Sequence, residues 1–169
     1  IKIFHNFSQS GFVDPRHQNL GFRFYTKENL LNSTSDLSLY NFKRISLKIA
    51  QGEEDLTYEK SVILEFDFDN LNAIDYQKGC YVGQELTART HYLGEVRKKI
   101  FHVEISNLKE IEKNTEITCQ GNSAGIILSS VFFQSKLHAL ALIRLTQDQN
   151  FSDFKENLQT LGQKIFIVA

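Results

Sequence analysis

Residues 78–85 read Lys-Gly-Cys-Tyr-Val-Gly-Gln-Glu and place a thiol, an ammonium group and two glycines in one short stretch. Glycine permits φ > 0 and close approach of the backbone to another group, so Gly79 and Gly83 predict a shaped loop around Cys80 and Tyr81. Gln84 to Tyr92 are mostly good helix formers, and Gly94 supplies a C-terminal stop. The loop therefore leads into a short helix whose amide-rich N-terminus points back toward Cys80. A free thiol titrates near ~8.5, and a helix N-terminus or neighbouring cations lower that value toward the reactive thiolate. Lys78, Arg89 and His91 are the cations that would act on Cys80 if the fold gathers them. Composition alone favours the plainer alternative, a structural cysteine in a tight turn.

A second group of interest is acidic. From Leu64 the residues alternate, with Leu64, Phe66 and Phe68 on one face and Glu65, Asp67 and Asp69 on the other. This pattern predicts a half-buried strand end or turn over residues 62–69, with an acidic face that is either solvated or turned toward a ligand. Residues 68–74 follow as a short helix or turn, with Asp69, Asn70 and Asn72 as turn formers. Glu65 and Cys80 would then flank one compact connection and line a common cleft.

The pattern Lys-Gly-Cys-Tyr-x-Gly-Gln-Glu, followed by Leu-Thr-Ala-Arg-Thr-His-Tyr, resembles the signature of the YgfZ-type folate-binding proteins. The mitochondrial relatives of that family act in iron–sulfur cluster maturation, and its fold superfamily includes the aminomethyltransferase (T-protein) of the glycine cleavage system. Asp14-Pro15-Arg16 followed by Leu20-Gly21-Phe22-Arg23 is similar to the same family, although a hairpin with an Asp-Pro turn is common. The resemblance implies that Glu65, fifteen residues before Cys80, faces the pterin ring of a bound tetrahydrofolate. A carboxylate accepts two parallel hydrogen bonds from a ring N–H and an adjacent amino group, as it does from a guanidinium. It further implies that Lys78, Gly83, Gln84 and Arg89 belong to the folate site and that Cys80 carries the chemistry. Arg16 and Arg23 are either contacts for an anionic ligand tail or surface and salt-bridged residues.

The function so implied is that of a folate-binding accessory protein for assembly or repair of iron–sulfur clusters. Its partners would be folate, the assembly machinery and client cluster enzymes, including radical enzymes that modify tRNA. One cysteine cannot hold a cluster, since stable clusters take four such ligands. The alternative is a tetrahydrofolate-dependent aminomethyltransferase of the T-protein type, but T-proteins do not carry the cysteine motif. A binding module with an empty folate cleft is a third reading.

Bulk properties set limits on these readings. A chain of 169 residues, 41% hydrophobic and 23% charged, has the composition of a globular protein. A formal net charge of −1 gives no global basic field for nucleic acid or acidic membranes. The one basic run, Arg97-Lys98-Lys99, reads as a solvated strand end, and the aromatics alternate with acids rather than with basic residues. Cys80 and Cys119, far apart in sequence, suit a reducing compartment, either the cytoplasm or, in a eukaryote, the mitochondrial matrix. No CxxC or HExxH spacing calls for a resident metal, and no apolar run approaches the ~20 residues that span a bilayer. Ile1 begins in what reads as mid-strand and methionine is absent, so an N-terminal portion is expected to be missing.

The fold class expected is α+β, with residues 1–94 forming part of an aminomethyltransferase-like folate-binding domain and residues 95–169 a small C-terminal β-barrel. Residues 1–5 and 20–25 alternate like strands around the Asp14-Pro15-Arg16 turn. Asp36 should cap a helix over residues 37–50. Leu39, Phe42, Ile45, Ser46 and Ile49 fall on its packing face, with Lys43, Arg44 and Lys48 on the rest, and Gly52 ends it. Beyond Gly94, strand-like runs at 99–105, 115–118, 124–128, 137–145 and 165–168, with glycine-bearing turns and almost no helical periodicity, predict the barrel. His102 and His138 are expected to pack within strands, and Cys119 to be a small buried hydrophobe.

Overall fold

The computed structural model describes residues 11–23, 37–92, 94, 96–145 and 151–168. The strand expected over residues 1–5, the cap expected at Asp36, and residues 24 and 25 of the second expected strand lie outside the described residues.

The first described element is a short ribbon. β1 (Phe12–Val13) pairs antiparallel with β2 (Phe22–Arg23), Phe12 opposite Arg23 and Val13 opposite Phe22. Between them Asp14 and Pro15 turn the chain into a 3₁₀ turn, Gln18–Leu20, whose Leu20 is buried rather than opening a strand. Buried Asp14 organises this segment. Its carboxylate accepts Arg16 Nε at 3.0 Å, Arg16 Nη2 at 2.9 Å and Arg23 Nε at 2.7 Å. Burial pushes the Asp14 carboxyl up, but the hydrogen bonds from Arg16 and Arg23 outweigh it and hold the group at about 2. Arg16 and Arg23 are thus salt-bridged residues.

Helix α1 (Leu37–Ser46) stops sooner than its hydrophobic spacing predicts. Lys48 adopts φ 55, its N–H donates to Ile45 O at 2.9 Å, and Ile49 N–H donates to Arg44 O at 2.8 Å. These two reversed bonds are a Schellman ending in which a lysine takes the left-handed position usually given to glycine. The fully buried Ile49 that follows anchors it. Gly52 accordingly does not end α1; it opens the one-turn helix α2 (Gly52–Asp55).

Arg44, expected on the outer face of α1, is instead 1% exposed. All five of its N–H donors are used. Nη1 donates to Asp55 Oδ2 at 2.8 Å and Ile49 O at 3.4 Å; Nη2 donates to Glu54 Oε2 at 2.8 Å and Ser129 Oγ at 3.1 Å; Nε donates to Asn41 Oδ1 at 3.1 Å. One guanidinium therefore joins α1, α2 and the barrel.

Of the strand end or turn expected over residues 62–69, the structure has the turn. Ile63–Phe66 form a 3₁₀ turn closed by Asp67 in the left-handed conformation, with φ 53. Leu64 and Phe66 are both buried, so the alternation marked the inward residues. No strand pairs with this segment among the described residues, and a sequence rich in Asp and Asn closes on itself instead. Helix α3 (Gln84–Tyr92) lies where its composition predicts.

The remaining strands are β3 (Lys98–Ile105), β4 (Glu116–Cys119), β5 (Asn122–Phe133), β6 (Lys136–Arg144), β7 (Leu158–Thr160) and β8 (Gln163–Ile167). They close into an antiparallel barrel in the order β3-β6-β5-β4-β7-β8. The fold is α+β with a small C-terminal barrel, as expected. In β6 every residue from Leu137 to Ile143 is buried. Leu137, Ala139, Ala141 and Ile143 fill the barrel, whereas Leu140 and Leu142 pack outside it with Ile45 of α1 and Phe66. Burial on both faces explains why this strand lacks alternation. Gly125 of β5 lies so close to β6 that a Cβ there would collide with the Leu142 carbonyl oxygen. Sequence periodicity missed helix α4 (Phe151–Glu156), whose Phe154 packs into the barrel core.

Removing one partner of a buried ion pair leaves the other charge uncompensated, at a cost of about 3–5 kcal/mol, whereas exposed pairs contribute about 0–1 kcal/mol. Asp55 is fully buried and the Glu54 side chain is 54% exposed. Asp55→Ala should therefore lower unfolding stability in urea by several kcal/mol and Glu54→Ala by under about 1 kcal/mol. Similar losses for both would remove the distinction.

Candidate functional site

The cysteine stretch builds its own support. Gln84 N–H donates to Tyr81 O at 3.1 Å, and Gln84 Oε1 accepts Tyr81 N–H at 3.3 Å, a reciprocal pair that closes the turn into α3. Gly83 has φ 86, which side-chain-bearing residues rarely adopt, so this turn requires glycine. Gly79 has no such constraint. Lys78 Nζ lies 4.7 Å from the centre of the Tyr81 ring, a cation–π contact that orders the loop beside Cys80. Cys80 itself is exposed.

The other expected cations sit elsewhere. Arg89 and His91 are in the last turn of α3, at the end away from the loop. His91 stacks on Tyr76 at 4.1 Å, and Tyr92 meets Tyr76 edge-on at 5.9 Å. The Tyr76 phenol is pushed up by burial, with the Asp69 charge adding to the shift. Helix α3 buries none of its own residues, and Val82 of the loop and Leu86 of α3 are exposed, at 103% and 65%. The structure therefore presents Cys80 at the surface, on a loop with internal hydrogen bonds.

Glu65 lies in a different setting. The 3₁₀ turn holds it, half-buried, at a cleft of about 390 Å³ between this turn, the α2 segment and the barrel. The cleft has apolar walls from Phe66, Ile126, Leu128 and Leu142, with Asp55, Lys60 and Lys98 among its polar groups. Of its two carboxylates, Asp55 is paired with Arg44, which leaves Glu65 and two ammonium groups beside an apolar floor. This suits a flat heterocycle that donates hydrogen bonds at one end and bears anionic charge at the other. Of the residues expected at the site, Glu65 lines this cleft, whereas Lys78, Cys80, Gly83, Gln84 and Arg89 do not. The turn bearing Glu65 packs against α3, so the two places are neighbours. Lys60 and Lys98 were not foreseen; Lys98 read as part of a solvated basic run, and no local signal tied it to Glu65.

Asp67 pairs with Lys99 at 4.0 Å; burial pushes its carboxyl up and the lysine opposes the shift. Cys119 is buried, its thiol 3.8 Å from the Phe154 carbonyl oxygen that it donates to, and burial pushes the thiol up. Among the described residues no three His, Cys, Asp or Glu side chains converge to hold a metal ion, and no helix is long and apolar enough to cross a membrane.

No family model matches the chain. Similarity to curated proteins is clear. A Dictyostelium discoideum protein described as the mitochondrial iron–sulfur cluster assembly factor IBA57 homolog is 40% identical over 112 residues, covering 61% of this chain and 27% of that protein. The relative of the same description from Mycosarcoma maydis is 42% identical over 94 residues, 52% of this chain and 23% of that protein. That from Yarrowia lipolytica is 33% identical over 114 residues, 64% of this chain and 23% of that protein. The chain thus spans about a quarter of the length of the curated relatives it matches.

The reactive form of cysteine is the thiolate, and burial withholds a thiol from reagents. Iodoacetamide at neutral pH should modify Cys80 of the folded protein at least about tenfold faster than Cys119, read by mass spectrometry of the peptides. Equal rates would mean that the Cys80 loop is as closed as the barrel.

Proposed function

We propose that this chain, a relative of the iron–sulfur cluster assembly factors of the YgfZ-type family, is part of a folate-binding accessory protein that acts in cluster assembly or repair. The observation that carries the reading is Cys80, exposed on a loop that Gly83 and the Tyr81–Gln84 hydrogen bonds shape, in a chain similar to proteins named as assembly factors. In this reading Cys80 is the reacting thiolate and the cluster, or sulfur destined for it, is cargo passed through a partner. An exposed thiol can meet another protein's cluster or persulfide, whereas a single cysteine cannot retain a cluster. Val82 and Leu86 would supply apolar contact to that partner.

Folate is the ligand we assign to the Glu65 cleft. Glu65 would accept from the donor face of the pterin, Phe66 and Leu128 would cover its ring, and Lys60 and Lys98 would balance the carboxylates of the glutamyl tail. Lys78, Gly83, Gln84 and Arg89, which do not line the cleft, would act on the folate only from the neighbouring α3 side. Residues 1–94 and 95–169 are taken as the two domain parts that this cleft joins. The relatives are named as assembly factors and not as transferases, so the aminomethyltransferase reading is not favoured. They are also named mitochondrial, which supports the mitochondrial matrix as the working compartment. Client enzymes would include radical enzymes that depend on clusters, so any effect on tRNA modification would be indirect.

Two measurements on the complete protein test the two halves of the reading separately. Loss of a charge-assisted hydrogen-bond pair costs about 1–3 kcal/mol, so Glu65→Gln should weaken tetrahydrofolate binding by roughly ten- to a hundredfold in calorimetry. Unchanged affinity would remove Glu65 from the ligand site. In cells lacking the protein, wild type should restore the activity of a cluster-dependent enzyme while Cys80→Ala, expressed at the same level, should not. Full rescue by the variant would leave Cys80 a structural residue.

A further inference from the structure

His102 and His138 stand on the neighbouring strands β3 and β6, on the outside of the barrel beneath α1, and each is 5% exposed. His102 Nε2 lies 3.0 Å from His138 Nδ1. Phe42 of α1 covers both rings, with its centre 4.8 Å from that of His138 and 6.4 Å from that of His102. Phe133 of β5 stacks on Phe42 at 4.5 Å. The seat of α1 on the barrel thus contains two imidazoles in direct contact.

A bond between two ring nitrogens requires one to be protonated and the other bare. With both rings neutral, one ring donates its N–H across the pair and the other accepts. The charged groups that face the pair are Glu104 of β3 and Lys136 of β6. Glu104 Oε1 lies 3.8 Å from His138 Nδ1, and Lys136 Nζ lies 2.7 Å from Glu104 Oε2. From α1 and β5 the groups in contact are the uncharged rings of Phe42 and Phe133, and from the end of β8 the Val168 N–H donates to His102 O at 2.9 Å.

Acid disrupts this arrangement in two stages. A first proton leaves one ring with N–H groups at both nitrogens, so the pair keeps its bond only with a bare nitrogen on the other ring. Glu104 offers a protonated His138 a partner, but Lys136 already shares that carboxylate. A second proton places two positive charges about 3 Å apart beneath a phenyl ring, where little water screens them. Burial, then the neighbouring His138, hold His102 down at about 4; burial likewise lowers His138, against the pull of Glu104.

We propose that the His102–His138 pair is a proton-operated latch, which seats α1 on the barrel while both rings are neutral and releases it when they are protonated. The consequence reaches the Glu65 cleft. Ile45 of α1 packs with Phe66, Leu128 and Leu142, which form the apolar wall of that cleft. Release of α1 removes the support behind Glu65, whatever the cleft binds. The sign follows from linkage. With α1 released, the imidazoles titrate near their ordinary ~6.5, so the released state binds more protons below that pH. The released fraction rises as pH falls from 6.5 toward 4, by up to tenfold per unit for each proton taken up.

The test is histidine-ring NMR on the complete protein between pH 7.5 and 4.5, together with amide exchange corrected for intrinsic rates. Both rings should titrate below 6.5. Amides of α1 should lose protection in step with them, while those of β5 and β6 keep theirs. His102→Gln, which retains a side-chain N–H donor, should flatten the pH dependence of α1 protection. Either ring titrating at 6.5 or above, α1 protection independent of pH, or simultaneous loss of α1 and barrel protection would each overturn the latch. The wild-type titration decides the matter even if the variant fails to fold.

Discussion

The buried guanidinium of Arg44 is the constraint on which the rest of the molecule depends. Two carboxylates, a carbonyl, a hydroxyl and an amide oxygen are held around it, contributed by α1, α2, the segment between them and β5. A guanidinium stripped of water requires all its donors to be met. Each element that meets one is thereby fixed in angle as well as distance, because the donors lie in one plane. Hydrophobic contacts alone would let α1 slide on the barrel; the planar fork admits a single register. Asp55 Oδ2 extends that register by accepting Gln51 N–H at 2.8 Å, and Gln51 in turn accepts the hydroxyl of Tyr40. Tyr40 receives Arg16 Nη2 from the hairpin. One polar chain therefore runs from Asp14 to the barrel wall.

The apolar packing that accompanies this chain is split by a strand. β6 faces two cores, one inside the barrel and one beneath α1 and the Glu65 turn. Close packing transmits displacement, since interiors have little free volume. A change at α1 is consequently felt at the cleft through Ile45 and Phe66, without passing through the barrel interior. The Cys80 loop lies outside this network. Helix α3 has no buried residue, and its loop is shaped by local hydrogen bonds and one glycine. That isolation allows the thiol to be engaged without disturbing the core.

The sequence was most informative where local chemistry decides the structure. Gln84 to Tyr92 form the helix their propensities indicate, and the barrel strands follow the runs of apolar residues between turns. Glycine at 83 is needed for the reason the loop suggested. What escaped was set by tertiary partners. The alternation of Leu64 and Phe66 left strand end and turn both open; a strand needs a neighbour, and the turn formers that follow close the segment instead. Arg44 looked like surface decoration because four of its five acceptors lie outside its own helix, one of them 85 residues away. Lys98 reaches the Glu65 cleft from a strand 33 residues downstream in sequence, and no spacing rule links the two. The same holds for His102 and His138, which read as packing residues; their contact is a matter of barrel register, where Glu104 is opposite His138 and His102 is opposite Leu140.

The two candidate positions make opposite physical demands, and their separation follows from that. A carboxylate that recognises a heterocycle gains from partial burial, because hydrogen bonds strengthen as water is excluded and a rigid wall fixes the angle of approach. Glu65 has those conditions: a closed turn beneath it and an apolar face beside it. A thiol that exchanges sulfur or cluster with another protein must instead be reached by a bulky group, so burial would exclude its partner. Cys80 has the exposure, and the Lys78–Tyr81 contact supplies order without enclosure. Had both groups lined a single cleft, one demand would have been met at the cost of the other. Placing them on adjacent elements, the Ile63–Phe66 turn and the loop leading into α3, keeps them neighbours while each meets its own demand.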